Sequence, residues 1–188
     1  MIGKHSIEVS NSRVNYSLTV QRNITVIGGD SGTGKTTLVG MVSDYQRRGK
    51  SSGVTLNCDV PCVVLPQLYW QQILSATSDS IVFIDEGSDY VTTVEFAREI
   101  KNSSNYYVII TREAMPCLPY SIDEVYRLKT TTKSRHNRVT YTTTTPLYAP
   151  PPPQSVLANT SIEASCKTPP ITLTARNTSA GNDSSPQN

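Results

Sequence analysis

Asn23-Ile24-Thr25-Val26-Ile27-Gly28-Gly29-Asp30-Ser31-Gly32-Thr33-Gly34-Lys35-Thr36-Thr37-Leu38-Val39 is the stretch that decides the fold. Its first six residues are a β-branched run of the kind buried in a parallel sheet. From Lys35 onward, Leu38, Met41, Val42 and Tyr45 recur at helical spacing, and Arg47 and Arg48 fill the last turn. Between strand and helix, Gly29–Thr36 satisfies G-x-x-x-x-G-K-[ST] at every required position. Glycines at 29, 32 and 34 let the backbone turn and approach an anion closely, with successive amides aimed inward. The start of the helix adds the positive end of its dipole. The pattern therefore predicts a phosphate cradle made of Gly29, Asp30, Ser31, Gly32, Thr33, Gly34, Lys35, Thr36 and Thr37. In it Lys35 reaches the β- and γ-phosphates and Thr36 sets its hydroxyl on Mg²⁺.

Working outward, Ser6–Ser10 and Arg13–Val20 alternate polar and apolar residues around Asn11-Ser12 and predict a hairpin. Past the first helix, residues 49–53 form a turn, and Val54–Asn57 and Cys62–Leu65 are short strand-like pieces. Pro66 opens a helix over Gln67–Ala76 whose buried stripe is Leu68, Trp70, Ile73 and Leu74. Ser80-Ile81-Val82-Phe83-Ile84-Asp85-Glu86 is a second strong strand, followed by an amphipathic helix over Thr92–Lys101 bearing Val94, Ala97 and Ile100. Tyr106–Ile110 is a third buried strand. Two prolines keep Met115–Tyr120 out of regular helix. Glu124–Thr132 and Val139–Thr145 predict a terminal hairpin turned at residues 133–137.

Four apolar residues ending in Asp-Glu are what a buried parallel strand delivers to the carboxyl edge of a sheet, where ligands sit in open α/β folds. Asp85 then stabilises the Mg²⁺ held by Thr36, through water, and Glu86 is the candidate general base for an attacking water.

With both segments quoted, Gly29–Thr36 and Ile81–Glu86 resemble the Walker A and Walker B pair of the P-loop NTPase superfamily. The adjacent Asp-Glu is more similar to the branch containing AAA-type, ABC-type and RecA-like ATPases than to the GTPases. The resemblance covers about residues 22 to 112. It implies a γ-phosphate-sensing polar residue at the tip of the strand next to Walker B, a place that Thr111 fills. Its neighbour Arg112 is read either as a cation for transition-state charge or as a structural partner of Glu113 or Asp89. The chain departs from the named families as well. It has no Asn-Lys-x-Asp run, no Leu-Ser-Gly-Gly-type signature and no helical lid after the core.

The order of elements predicts an α/β fold: a three-layer parallel sheet of P-loop NTPase type with helices on both faces, flanking β-hairpins, and a disordered C-terminal tail. Residues 1–148 form the one domain that 188 residues accommodate, and 149–188, opening on Pro150-Pro151-Pro152-Pro153, form the Pro/Ser/Thr-rich tail. Its proline run is read as a stiff spacer in preference to a docking motif for an SH3-like or WW-like module.

A net charge of +2 does not announce a nucleic-acid partner, which the sequence neither supports nor excludes. No apolar run approaches the ~18 residues needed to cross a bilayer, no leader is visible, and no membrane partner is expected. Cysteines 58, 62, 117 and 166 show no C-x-x-C pair and are read as reduced thiols of a cytoplasmic protein. The expectation is a small Mg²⁺-dependent ATPase binding ATP, with a protein partner or second copy completing the site. The alternatives are a small-molecule or nucleotide kinase and a non-hydrolysing ATP-dependent switch.

Overall fold

The computed structural model describes residues 3–132 and 140–148, and the tail expected from 149 lies outside the described residues. Nine strands form one sheet: β1 (His5–Ser10), β2 (Val14–Val20), β3 (Ile24–Gly28), β4 (Thr55–Asn57), β5 (Cys62–Val64), β6 (Ile81–Ile84), β7 (Tyr106–Ile110), β8 (Val125–Thr132) and β9 (Thr140–Pro146). Three α-helices accompany them among the described residues: α1 (Lys35–Arg48), α2 (Trp70–Ser75) and α3 (Val94–Lys101). The strand order is β4-β1-β2-β9-β8-β3-β7-β6-β5. β8, β3, β7, β6 and β5 run parallel, whereas β4-β1, β1-β2 and β8-β9 are antiparallel.

This corrects the expected three-layer parallel sheet. The sheet is mixed and curls into a half-barrel with few helices. The hairpins expected to flank it are built into it, because β2 pairs with β9 in parallel from Val14↔Thr140 to Ser17↔Thr143. The turn expected at residues 133–137 lies outside the described residues.

Chain connectivity explains the curl. β4 and β5 are the two outer strands, yet only residues 58–61 join them. Eight inter-strand gaps of about 4.8 Å would hold those edges ~38 Å apart in a flat sheet. The step from Asn57 to Cys62 reaches at most ~18 Å, so the sheet must bend until its edges approach. The concave side closes on α1: Leu38, Val39, Met41 and Val42 share one apolar cluster with Ile7, Val9, Tyr16, Leu18, Ile27, Ile81, Phe83, Val108 and Leu128, and Leu56, Cys62 and Val64 from the two outer strands pack against it. On the other face, the alternate residues Val26, Val82, Ile84, Tyr107 and Ile109 meet Leu74 of α2 and Phe96 and Ile100 of α3.

Two buried-stripe assignments are corrected. Leu68 is 70% exposed and Val94 60% exposed. Tyr69 adopts a left-handed backbone (φ 62°), so α2 begins only at Trp70 and Leu68 falls outside the helix. Thr93 caps α3 by accepting from the Phe96 amide at 3.2 Å, which turns Phe96 rather than Val94 inward.

Candidate active site

Parallel pairing brings the carboxyl ends of β3, β7 and β6 to one edge, with Ile27 opposite Ile110 and Ile84 opposite Ile109. The loop after β3, the Asp85-Glu86 pair after β6 and Thr111-Arg112 after β7 therefore emerge side by side. β7 lies between the loop strand and the Asp-Glu strand. Two strand spacings, about 10 Å, separate them.

The loop wraps around the Lys35 side chain. Lys35 is 4% exposed, and its ammonium donates to the carbonyls of Gly29 (2.9 Å) and Asp30 (2.6 Å) and to Thr33 Oγ1 (3.3 Å). Thr33 Oγ1 in turn donates to the Asp30 carbonyl at 3.2 Å. Gly34 caps α1 with φ 91° and no side-chain hydrogen bond, and the first turn holds no acidic residue. That helix start keeps its amide dipoles free of a local counter-charge.

Tyr16 of β2 was not among the residues singled out from sequence. Its hydroxyl donates to the Gly34 carbonyl at 2.9 Å, and a Cβ placed on Gly34 would stand 2.6 Å from that oxygen. Burial raises the phenol's pKa, partly offset by a hydrogen bond with the Thr37 side chain. No local pattern marks Tyr16, because a strand tyrosine reads as core and its contact is made 18 residues downstream.

A cavity of about 250 Å³ is lined by Ser31, Gly32, Thr33, Gly34, Lys35, Thr36 and Thr37 together with Glu86 and Arg112. Arg112 bridges its rim. Its Nε lies 2.8 Å from Glu86 Oε1, and its Nη2 donates to Ser31 Oγ at 2.7 Å. The expected structural partners of Arg112, Glu113 and Asp89, are thus replaced by Glu86. Asp85 accepts from the Glu86 amide at 2.9 Å and lines an adjoining cavity of about 210 Å³ with Glu86, Thr111 and Arg112. Thr111 is 8% exposed, and its Oγ1 accepts from the Glu113 amide at 3.0 Å, so it shapes the turn after β7. Asp85 and Thr111 do not line the loop cavity.

Two larger cavities adjoin the loop. One, about 1000 Å³, shares Ser31 and Arg112 with it and is lined by Tyr120, Ile122, Val125, Leu147 and Tyr148. The other, about 650 Å³, shares Gly32 and Thr33 and carries Arg127 and Lys129. Arg127 arrives on β8, and Leu147 and Tyr148 follow directly on β9.

No cluster of three His, Cys, Asp or Glu side chains suited to a metal occurs among the described residues. Thr36 lines the loop cavity and Asp85 the adjoining one, and both carry hard oxygen donors of the kind that suits a Mg²⁺ ion keeping most of its waters. No helix among the described residues is long and apolar enough to cross a membrane. No family model and no curated protein matches this chain.

Proposed function

We propose that the chain binds Mg²⁺-ATP in the 29–37 loop and hydrolyses it, as a member of the P-loop NTPase superfamily. One observation carries the reading: Glu86 and Arg112, 49 and 75 residues beyond Thr37, line the same cavity as Lys35, Thr36 and Thr37. In this reading Lys35 transfers hydrogen bonds from the Gly29 and Asp30 carbonyls to phosphate oxygens, and the amides at the start of α1 receive the remaining charge. Thr36 and Asp85 hold Mg²⁺, which when bound neutralises phosphate charge. Glu86 accepts the proton of the attacking water once Arg112 releases it. Arg112 supplies its guanidinium to the equatorial oxygens from within the same chain. Thr111 acts behind it as a positioning residue. The supply of ATP and Mg²⁺ needed sets this activity in the cytoplasm.

Phosphoryl transfer to an acceptor is the second reading. It is favoured by the pair of larger cavities beside the loop, since base and ribose need one and the other leaves room for an acceptor.

Calorimetric titration of Mg²⁺-ATP, paired with phosphate release, tests the proposal. Wild type binds and releases phosphate, Lys35→Ala loses binding, and Glu86→Gln binds without turnover. Undiminished binding by Lys35→Ala would overturn it, and ADP release that rises only with an added acceptor would select the second reading.

A further inference from the structure

The seam of the half-barrel carries two thiols. Cys58 follows β4 directly and Cys62 is the first residue of β5, so the pair sits at the two ends of the short link that draws the outer strands together. Both are free, and both are partly exposed. Both side chains pack against the same apolar cluster under α1, and each lies within electrostatic reach of the other. Cys58 Sγ also lies 3.6 Å from Asp59 Oδ1, and Cys62 Sγ 3.9 Å from the Val60 carbonyl. Asp59 is anchored in turn by His5 Nδ1 of β1 at 2.8 Å. On the other side, the Val64 amide of β5 donates to Gln46 Oε1 of α1 at 2.9 Å. The link is thus fixed at both ends, with its two thiols packed on one cluster.

The two sulfurs differ in character. The neighbouring Cys62 thiol lowers the Cys58 pKa against the opposing Asp59 carboxylate, whereas the Cys58 neighbour and burial push Cys62 up. Cys58 makes its contact at the surface and Cys62 makes its own part-buried, so Cys58 is the thiol that meets a dissolved disulfide first and Cys62 the resolving thiol.

We propose that Cys58 and Cys62 form a reversible disulfide that fastens the two edges of the half-barrel, making the seam a thiol–disulfide modification site. The oxidant is a low-molecular-weight disulfide. The Cys58 thiolate attacks one of its sulfurs and releases the first small thiol. Cys62 then gives its proton to solvent, attacks Cys58 Sγ and expels the second. Two protein thiols are oxidised to one disulfide while the external disulfide is reduced to two thiols.

The experiment uses the full chain equilibrated with oxidised glutathione, quenched with an alkylating agent and digested with trypsin. No Lys or Arg lies between Lys50 and Arg98, so both cysteines fall in the single peptide 51–98, which holds no other cysteine. The expected result is that peptide unalkylated and about 2 Da lighter, restored by reductant. Cleavage at Asp59 should leave its halves joined. Cys62→Ser should stop at a mixed disulfide on Cys58, and Cys117→Ser should behave as wild type. The oxidised chain should melt several degrees above the reduced chain, with no such shift in Cys62→Ser. A persistent glutathione adduct in wild type, two alkylated thiols, or an oxidised chain melting no higher than the reduced one would each overturn the proposal.

Discussion

Replacing Gly34 by Ala tests how the loop is held. Gly34 sits at φ 91°, where an L side chain costs about 1–2 kcal/mol. Its new Cβ would also stand 2.6 Å from Tyr16 Oη, and Tyr16, 2% exposed among α1 and the concave strands, has no room to retreat. Overpacking of this kind adds about 1–3 kcal/mol, so Gly34→Ala should destabilise by about 2–5 kcal/mol. Tyr16→Phe alone loses the hydroxyl's bonds with the Gly34 carbonyl and the Thr37 side chain. The Gly34 carbonyl keeps its bond from the Leu38 amide at 3.0 Å and Thr37 is exposed to water, so the loss stays within the usual ~0.5–1.5 kcal/mol. With the hydroxyl gone, the next ring atom lies 3.6 Å from the added methyl, an ordinary contact. In the Tyr16→Phe background, Gly34→Ala should therefore cost only the backbone share. The four proteins, unfolded in urea and compared at equal m-value, should show ~1–3 kcal/mol of non-additivity. Effects that add to within ~0.5 kcal/mol would refute the contact between β2 and the loop.

Arg112→Ala should change stability by less than ~1 kcal/mol, because the Glu86 ion pair is 49% and 35% exposed. Phosphate release should fall ~100–1000-fold, and unchanged turnover would leave Arg112 only a structural part. Burial pushes Tyr90 from 10.0 up to about 12. A raised folded-state value stabilises fully below pH 10, and that stability is lost as pH rises toward 12, so wild type should lose about 2–3 kcal/mol more over this window than Tyr90→Phe. Parallel denaturant titrations at pH 9 and pH 12 check this, and identical pH slopes would contradict the burial of that hydroxyl. Thr93→Ala removes the acceptor for the Phe96 amide and should lower stability by about 1 kcal/mol, measured by thermal unfolding.

Adjacent residues wrote β3, the loop, α1 and the Asp-Glu strand end into the sequence, because hydrophobic period and glycine placement act over a few positions. The candidate site was legible to the same extent: Lys35, Thr36, Thr37, Glu86 and Arg112 do meet around one cavity. Less legible was where the flanking residues sit. Asp85 and Thr111 line the neighbouring cavity, and Tyr16 enters from a strand that carried only an alternating pattern. Leu68 and Val94 were misplaced because one left-handed residue and one capping threonine reset where each helix begins, which shifts its buried face.

By itself, then, the sequence determined which segments are strands, where a glycine-rich loop runs into a helix, and which acids end a buried strand. The tertiary structure alone decided that β7 stands between the two motifs, that both hairpins join one mixed sheet, and that its edges bend together around α1. Pairing order and curvature depend on backbone hydrogen bonds between distant strands and on the reach of a four-residue link between β4 and β5, neither of which leaves a periodic trace along the chain.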